Sequence, residues 1–237
     1  LPRISNFTDF EPLERQARVR YVSLTDDLGH PDAVIIPGTK NTVSDLLEMQ
    51  ETGMAEQIVS LQDTPVLGIC GGYQMLGREI IDCGIEDTVG TVPGLGLLDA
   101  VTRFDLYEKR TVQVKKTVTG GGPILESILG QDVSGYEIHM GVTCPNETSA
   151  FGDDGAVSKS GIVIGTYLHG LFDNENFRGA FLDFLRRRKN PGQVSCQDRV
   201  PSRNENPVQK PSPFAGLATA TAAHLDMKQI WRMLDLD

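Results

Sequence analysis

The sequence predicts an α/β protein in three layers, α/β/α, with a mostly parallel central sheet and antiparallel additions. Three observations carry this. Two short apolar runs, Ala33–Ile36 and Val66–Ile69, are each bounded by proline and glycine and read as buried parallel strands. Between them lie two helical patterns, so strand and helix alternate at the spacing of a parallel sheet with helices on both faces. A chain of 237 residues, 39% of them hydrophobic, is long enough for one full core.

In chain order, Val19–Leu24 alternates enough to suggest a first strand. After Ala33–Ile36 comes a turn-rich loop, Pro37–Thr42, whose Asn41 or Thr42 is placed to cap a helix through Glu51. Val43, Leu46, Leu47 and Met49 are that helix's apolar positions. Gly53 ends it, and Met54–Leu61 is the next helix. Past residue 94, β-branched residues and turn signals take over. Val101–Phe104 and Thr111–Val118 read as antiparallel strands, Gly120–Pro123 as a turn, and Tyr136–Met140 as a strand. Ala156–Ser158 and Gly161–Tyr167 form a hairpin through Lys159 and Ser160. Asn174–Lys189 is an amphipathic helix with Phe177, Phe181, Leu182 and Leu185 on one face, and its basic last turn complements the helix dipole. The domain therefore runs over 1–189. The proline-rich stretch 190–213 reads as an extended loop or disordered segment, and 214–237, with Trp231, as a C-terminal helix packing on the domain.

Composition narrows the function. A net charge of −10 argues against nucleic-acid and anionic-membrane partners. No apolar run reaches the ~20 residues a membrane helix needs, and no signal peptide is visible at the N-terminus. Cys70, Cys83, Cys144 and Cys196 are widely spaced without a C-x-x-C, so neither a zinc site nor a disulfide framework is expected, and a reducing, cytoplasmic setting fits. The chain does not start with Met, which suggests a piece of a longer chain or a processed product.

The chemistry centres on Cys70. It follows a buried strand directly, and Gly71 and Gly72 then open a helical segment. A nucleophile on such a strand–helix turn is exposed at a sharp bend, with a free amide beside it and a helix N-terminus favouring the thiolate. A buried structural cysteine also fits a strand end, but the Gly-Cys-Gly-Gly context favours the nucleophile. A thiolate needs a base. His169 sits just past a buried strand, at the sheet edge where catalytic groups gather. His139 lies in a strand with Glu137, facing the same way at period two, and this pair reads more readily as structural support. His30 and His224 are in a polar loop and the last helix. Gly38, at a strand end matching that of Cys70, pairs with Gly71 as the expected oxyanion hole. The Lys40 loop lacks the first glycine and spacing of a P-loop, so no nucleotide site is expected in this chain, and the spacing of His139, His169 and a carboxylate is not that of a metal site.

The stretch Gly68-Ile69-Cys70-Gly71-Gly72-Tyr73-Gln74-Met75-Leu76-Gly77 resembles the nucleophile motif of class I glutamine amidotransferases. Within them it is similar to the branch serving cobyric acid and cobyrinate diamide synthesis. Leu1–Phe10 looks like the junction into the glutaminase domain of cobyric acid synthases. Pro37–Thr42, Gly135–Gly141 and Gly165–Phe172 look like that branch's oxyanion loop and two later signatures. The resemblance implies a flavodoxin-like fold and hydrolysis of L-glutamine: Cys70 as nucleophile, His169 as general base and acid, Gly38 and Gly71 on the oxyanion, and Gln74 positioning glutamine. The acid usual in class I enzymes two residues after the histidine is Leu171 here, which implies a Cys–His dyad with Glu137 as a candidate support. The implied partner is an N-terminal or separate ATP-dependent synthetase, with ATP and Mg, that uses the ammonia to amidate a corrinoid acceptor, adenosylcobyrinic acid a,c-diamide. Two other readings share the motifs, a glutaminase subunit for cell-wall lipid II amidation and a non-catalytic amidotransferase-like regulatory module. Leu1–Phe10 favours the first reading over the lipid II subunit, and an intact Cys70 and His169 argue against the regulatory module.

Overall fold

The structure, a computed structural model, describes residues 1–86, 88–105 and 110–190. The extended segment expected over 190–213 lies, from 191 on, outside the described residues, as does the helix expected over 214–237. In chain order the elements are α1 (Glu11–Glu14), β1 (Val34–Ile36), α2 (Thr42–Glu51), α3 (Met54–Ser60), β2 (Val66–Ile69), α4 (Gly71–Leu76), β3 (Glu79–Cys83), β4 (Val89–Pro93), β5 (Ala100–Phe104), β6 (Arg110–Thr117), β7 (Asp132–His139), β8 (Val142–Pro145), β9 (Ala156–Val157), β10 (Val163–Thr166), β11 (Leu168–His169) and α5 (Glu175–Lys189).

The central sheet runs β1-β2-β10-β9. The first three strands are parallel and β9 is the antiparallel hairpin partner of β10. Strand alternation sends Val34, Ile36, Val66 and Val163 to one face, against Val43, Leu46 and Met49 of α2 and Ile58 of α3. Ile35, Leu67, Ile69 and Ile164 face the other way, against Phe177, Phe181 and Phe184 of α5. These two cores on opposite faces are the expected three layers. The α5 side is aromatic: Phe177 packs on Phe172 and Phe181 at centroid distances of 5.5 and 6.2 Å, and its burial contributes roughly 2–3 kcal/mol.

Local chemistry sets the helix ends. Asn41 is extended and its Oδ1 accepts the Ser44 N–H at 2.8 Å, fixing the start of α2 where the sequence placed it. Gly53, at φ 78°, supplies the left-handed residue that separates α2 from α3.

Two expectations change. Val19–Leu24 is irregular rather than a strand. The Arg20 guanidinium donates to the carbonyls of Asp27 and Leu28, so the segment is folded back on its own loop. Val101–Phe104 belongs to β5, which is parallel to β3 and antiparallel to β8 in a sheet of order β4-β3-β5-β8. Its neighbour β3 was hidden because charged residues interrupt the apolar run. Asp82, buried within it, accepts N–H donors from Gly84, Ile85, Glu86 and Thr88 and so organises the following loop. The third sheet, β11-β7-β6, is antiparallel and carries the second half of the site.

Candidate active site

All four residues of β2 are buried, and Cys70 follows at the strand's C-terminal end. Its backbone is at φ 53°, ψ −112°, a conformation that costs a non-glycine residue on the order of 1–3 kcal/mol. Several contacts hold it there. The Cys70 N–H donates to the Thr166 carbonyl at 2.8 Å, and its own carbonyl accepts the Gln74 N–H that begins α4. Thr166 is fixed in turn through its hydroxyl, which donates to buried Asp154. The glycines admit the turn. A Cβ on Gly68 would meet the Gly72 backbone at 2.7 Å, and one on Gly72 would overlap the Ile36 carbonyl. The Cys70 thiol points toward β7 and donates to the Ile138 carbonyl at 3.5 Å.

His169 is fully buried on the two-residue strand β11, opposite Tyr136 of β7. The Tyr136 ring stacks on the imidazole, with centroids 5.1 Å apart and planes at 17°. Burial, followed by the negative charge of Asp9, raises the pKa of Tyr136. The imidazole Nδ1 lies 2.7 Å from Oδ2 of Asp9, and the Asn6 carboxamide comes within 3.2 Å of the same nitrogen. Nε2 is buried with no hydrogen-bond partner among the described residues.

Gly38 is where nucleophile and imidazole meet. A Cβ added there would lie 3.0 Å from His169 Cε1 and 3.1 Å from Ser5 Oγ, tighter than ordinary contact, and would touch Cys70 Cβ at 3.4 Å, an ordinary contact distance. A Cβ on Gly71 would meet the Thr39 N at 3.2 Å, which brings the Gly38–Thr39 peptide against the residue after the nucleophile. As the first residue of α4, Gly71 has no intrahelical acceptor for its N–H.

The other expected residues lie differently. Gln74 is buried, and its carboxamide is fully engaged by the protein: Thr42 donates to Oε1 at 2.8 Å, while Nε2 donates to the Met140 carbonyl at 2.7 Å and contacts the Tyr167 hydroxyl at 3.2 Å. These contacts make Gln74 a tie between α2, α4 and the turn that joins β7 to β8. Glu137 forms an ion pair with Lys116 at 3.1 Å. His139 Nδ1 contacts the Gly141 carbonyl at 3.1 Å, its ring stacks on Tyr167, and burial lowers its pKa. Among the described residues neither hydrogen-bonds to His169; from β7 it is the Tyr136 ring and the Ile138 carbonyl that reach the site. The sequence reading missed Asp9, Asn6 and Tyr136. Tyr136 lay inside a singled-out strand, whereas Asp9 carried no local signal beyond belonging to the Leu1–Phe10 stretch.

A buried thiol, an imidazole whose Nε2 has no partner among the described residues, a carboxylate on the ring's Nδ1 and the Gly71 amide together suit acyl transfer through a covalent thioester.

Residues 1–177 match the CobB/CobQ-like glutamine amidotransferase domain family. The chain is 54% identical over 239 residues to a probable cobyric acid synthase of Methanococcoides burtonii, covering all of this chain and 46% of that protein. It is 45% identical over 255 residues to the cobyric acid synthase of Pelotomaculum thermopropionicum, covering 100% of this chain and 48% of that protein. The chain thus spans about half the length of the curated relatives it matches. Among solved structures, PurLQS from Thermotoga maritima superposes with a TM-score of 0.58 at 18% identity, over 78% of this chain and 95% of that one. A crystal structure of a glutamine amidotransferase gives 0.53 at 18% identity, over 77% and 95%. At that identity the likeness speaks for the α/β fold alone.

Proposed function

We infer that this chain, which belongs to the CobB/CobQ-like glutamine amidotransferase domain family, hydrolyses L-glutamine to glutamate and ammonia at Cys70 and His169. The observation that carries this reading is Gly38, wedged between the His169 ring and the Cys70 Cβ so that thiol and imidazole share one wall.

In this mechanism His169 Nε2 takes the Cys70 proton, and the thiolate adds to the side-chain carboxamide carbon of glutamine. The N–H groups of Gly38 and Gly71 hold the oxyanion. The imidazolium then protonates the departing nitrogen, releasing ammonia and leaving a γ-glutamyl thioester on Cys70. His169 next deprotonates a water, which attacks the thioester, and glutamate leaves as the proton returns to sulfur.

The ammonia passes to an ATP-dependent synthetase that amidates carboxylates of adenosylcobyrinic acid a,c-diamide, and ATP and Mg belong to that partner. The names and doubled length of the curated relatives support this pathway. The test is glutamate release by this chain, with and without a matching synthetase. Cys70→Ser should abolish glutamine-dependent amidation and spare ammonia-dependent amidation. Undiminished glutamine use by Cys70→Ser would overturn the reading.

A further inference from the structure

We propose that Asp9 is the positioning residue of His169, an acid supplied by the N-terminal segment in the place that Leu171 leaves without one. The proposal deepens the glutaminase reading and rests on it for its rate measurement. Leu171 is fully buried in the core that holds the phenylalanines of α5, and Glu137 is paired with Lys116. Asp9, itself only 3% exposed, uses both carboxylate oxygens on the histidine strand. Oδ2 contacts the imidazole Nδ1 at 2.7 Å, and Oδ1 accepts the Gly170 N–H at 2.9 Å. One carboxylate thus grips the ring and the backbone immediately after it, which fixes the ring's orientation.

The contact also assigns the proton. An ionised carboxylate only accepts, so the hydrogen of neutral His169 sits on Nδ1 and the lone pair on Nε2. Nε2 is the buried nitrogen without a hydrogen-bond partner among the described residues, the one a base needs to present to a thiol. Asn6 Nδ2 stands 3.2 Å from the same Nδ1, so with the hydrogen on Nδ1 the carboxamide takes the opposite flip, in which its oxygen accepts. When the ring takes the thiol proton, Asp9 faces the new positive charge and lowers the cost of forming it in a buried site.

The segment delivering Asp9 also stitches the loop that carries Gly38. The Ser5 N–H donates to the Gly38 carbonyl at 2.9 Å, and the Lys40 N–H to the Arg3 carbonyl at 3.0 Å. Arg3 is anchored by an ion pair at 2.6 Å to buried Asp45 in the first turn of α2. Asn6, in the left-handed region at φ 56°, then turns the chain so that residues 7–10 reach β11. Residues 3–9 therefore order the oxyanion loop and the base together.

The experiment uses the whole chain with ¹⁵N-labelled histidine. In the wild type, NMR at mildly alkaline pH should find neutral His169 as the Nδ1–H tautomer. Asp9→Asn should shift it toward Nε2–H, lower kcat roughly 10²-fold or more, and leave KM within about threefold. A wild-type His169 in the Nε2–H form overturns the proposal, even if Asp9→Asn fails to fold. So does a folded Asp9→Asn with kcat within about twofold of wild type and an unmoved tautomer. A wild-type chain that turns over no glutamine, either alone or with a matching synthetase, overturns the glutaminase reading instead, and the tautomer then decides the role of Asp9 by itself.

Discussion

Asp9 and His169 stand 160 positions apart in the chain and 2.7 Å apart in the fold. The contact closes a layered arrangement. The carboxylate lies on one side of the imidazole edge, the Tyr136 ring on its face, and Gly38 against Cε1. The ring has little freedom left, so its unpartnered nitrogen is held ready, in keeping with a catalytic role.

Gly38→Ala tests that closeness. The added methyl would press on the His169 ring at 3.0 Å and on Ser5 Oγ at 3.1 Å, and would meet Cys70 Cβ at an ordinary 3.4 Å. Glutaminase kcat should fall roughly 10-fold, less than the ~10²-fold of a full ångström's misplacement because the ring need give only by a fraction of that, with the urea midpoint close to wild type. Wild-type kcat in a folded Gly38→Ala would show that the two side chains do not work as a pair across this glycine.

Much of this site is legible in the sequence where a single short stretch carries the signal. The β2–Cys70–α4 turn announces itself because its glycines flank the nucleophile directly in sequence; the Gly68 requirement is local, set by the Gly72 backbone, while Gly71 and Gly72 answer to the Ile36–Thr39 loop. The Asn41 cap and the Gly53 break are local for the same reason. Asp9 was illegible because its partner is a tertiary neighbour and nothing in Thr8-Asp9-Phe10 foretells a buried carboxylate. Period two puts Glu137 and His139 on one side of β7 but does not name the tertiary neighbours, Lys116 and Tyr167, that they meet there. The strands β3 and β8 escaped notice because pairing, more than apolar content, defines them.

Gln74→Leu separates a structural tie from a substrate ligand. Its loss leaves the Thr42 hydroxyl, the Met140 carbonyl and the Tyr167 hydroxyl without their present partner. Unfolding free energy should drop by roughly 2–4 kcal/mol, measured in urea, while the KM for glutamine stays near wild type. An unchanged stability with a raised KM would return Gln74 to substrate positioning.

Glu86 predicts a pH dependence of stability. Its carboxylate accepts the Val43 N–H at 2.8 Å, yet burial pushes its pKa from the usual 4.5 up to about 7. The folded chain keeps a proton that the unfolded chain gives up. The resulting stability is complete below about pH 4.5 and is lost as the pH rises through 7. Wild type should therefore lose on the order of 3 kcal/mol relative to Glu86→Gln between about pH 4.5 and 8. Parallel stability curves for the two proteins would show that Glu86 titrates normally.

The central claim is that Cys70 is a specially activated nucleophile, and the site of attack by a glutamine analogue tests it most directly. The whole chain is treated with a diazo-ketone analogue of glutamine and its cysteines are mapped by mass spectrometry. Cys83 and Cys144 are exposed and would win on access alone, although Asp105, hydrogen-bonded to Cys83, raises the pKa of that thiol. The account predicts modification of buried Cys70 alone, suppressed by glutamine and slowed roughly 10²–10⁴-fold in His169→Ala. Equal labelling of Cys70, Cys83, Cys144 and Cys196, indifferent to glutamine and to His169, would contradict it.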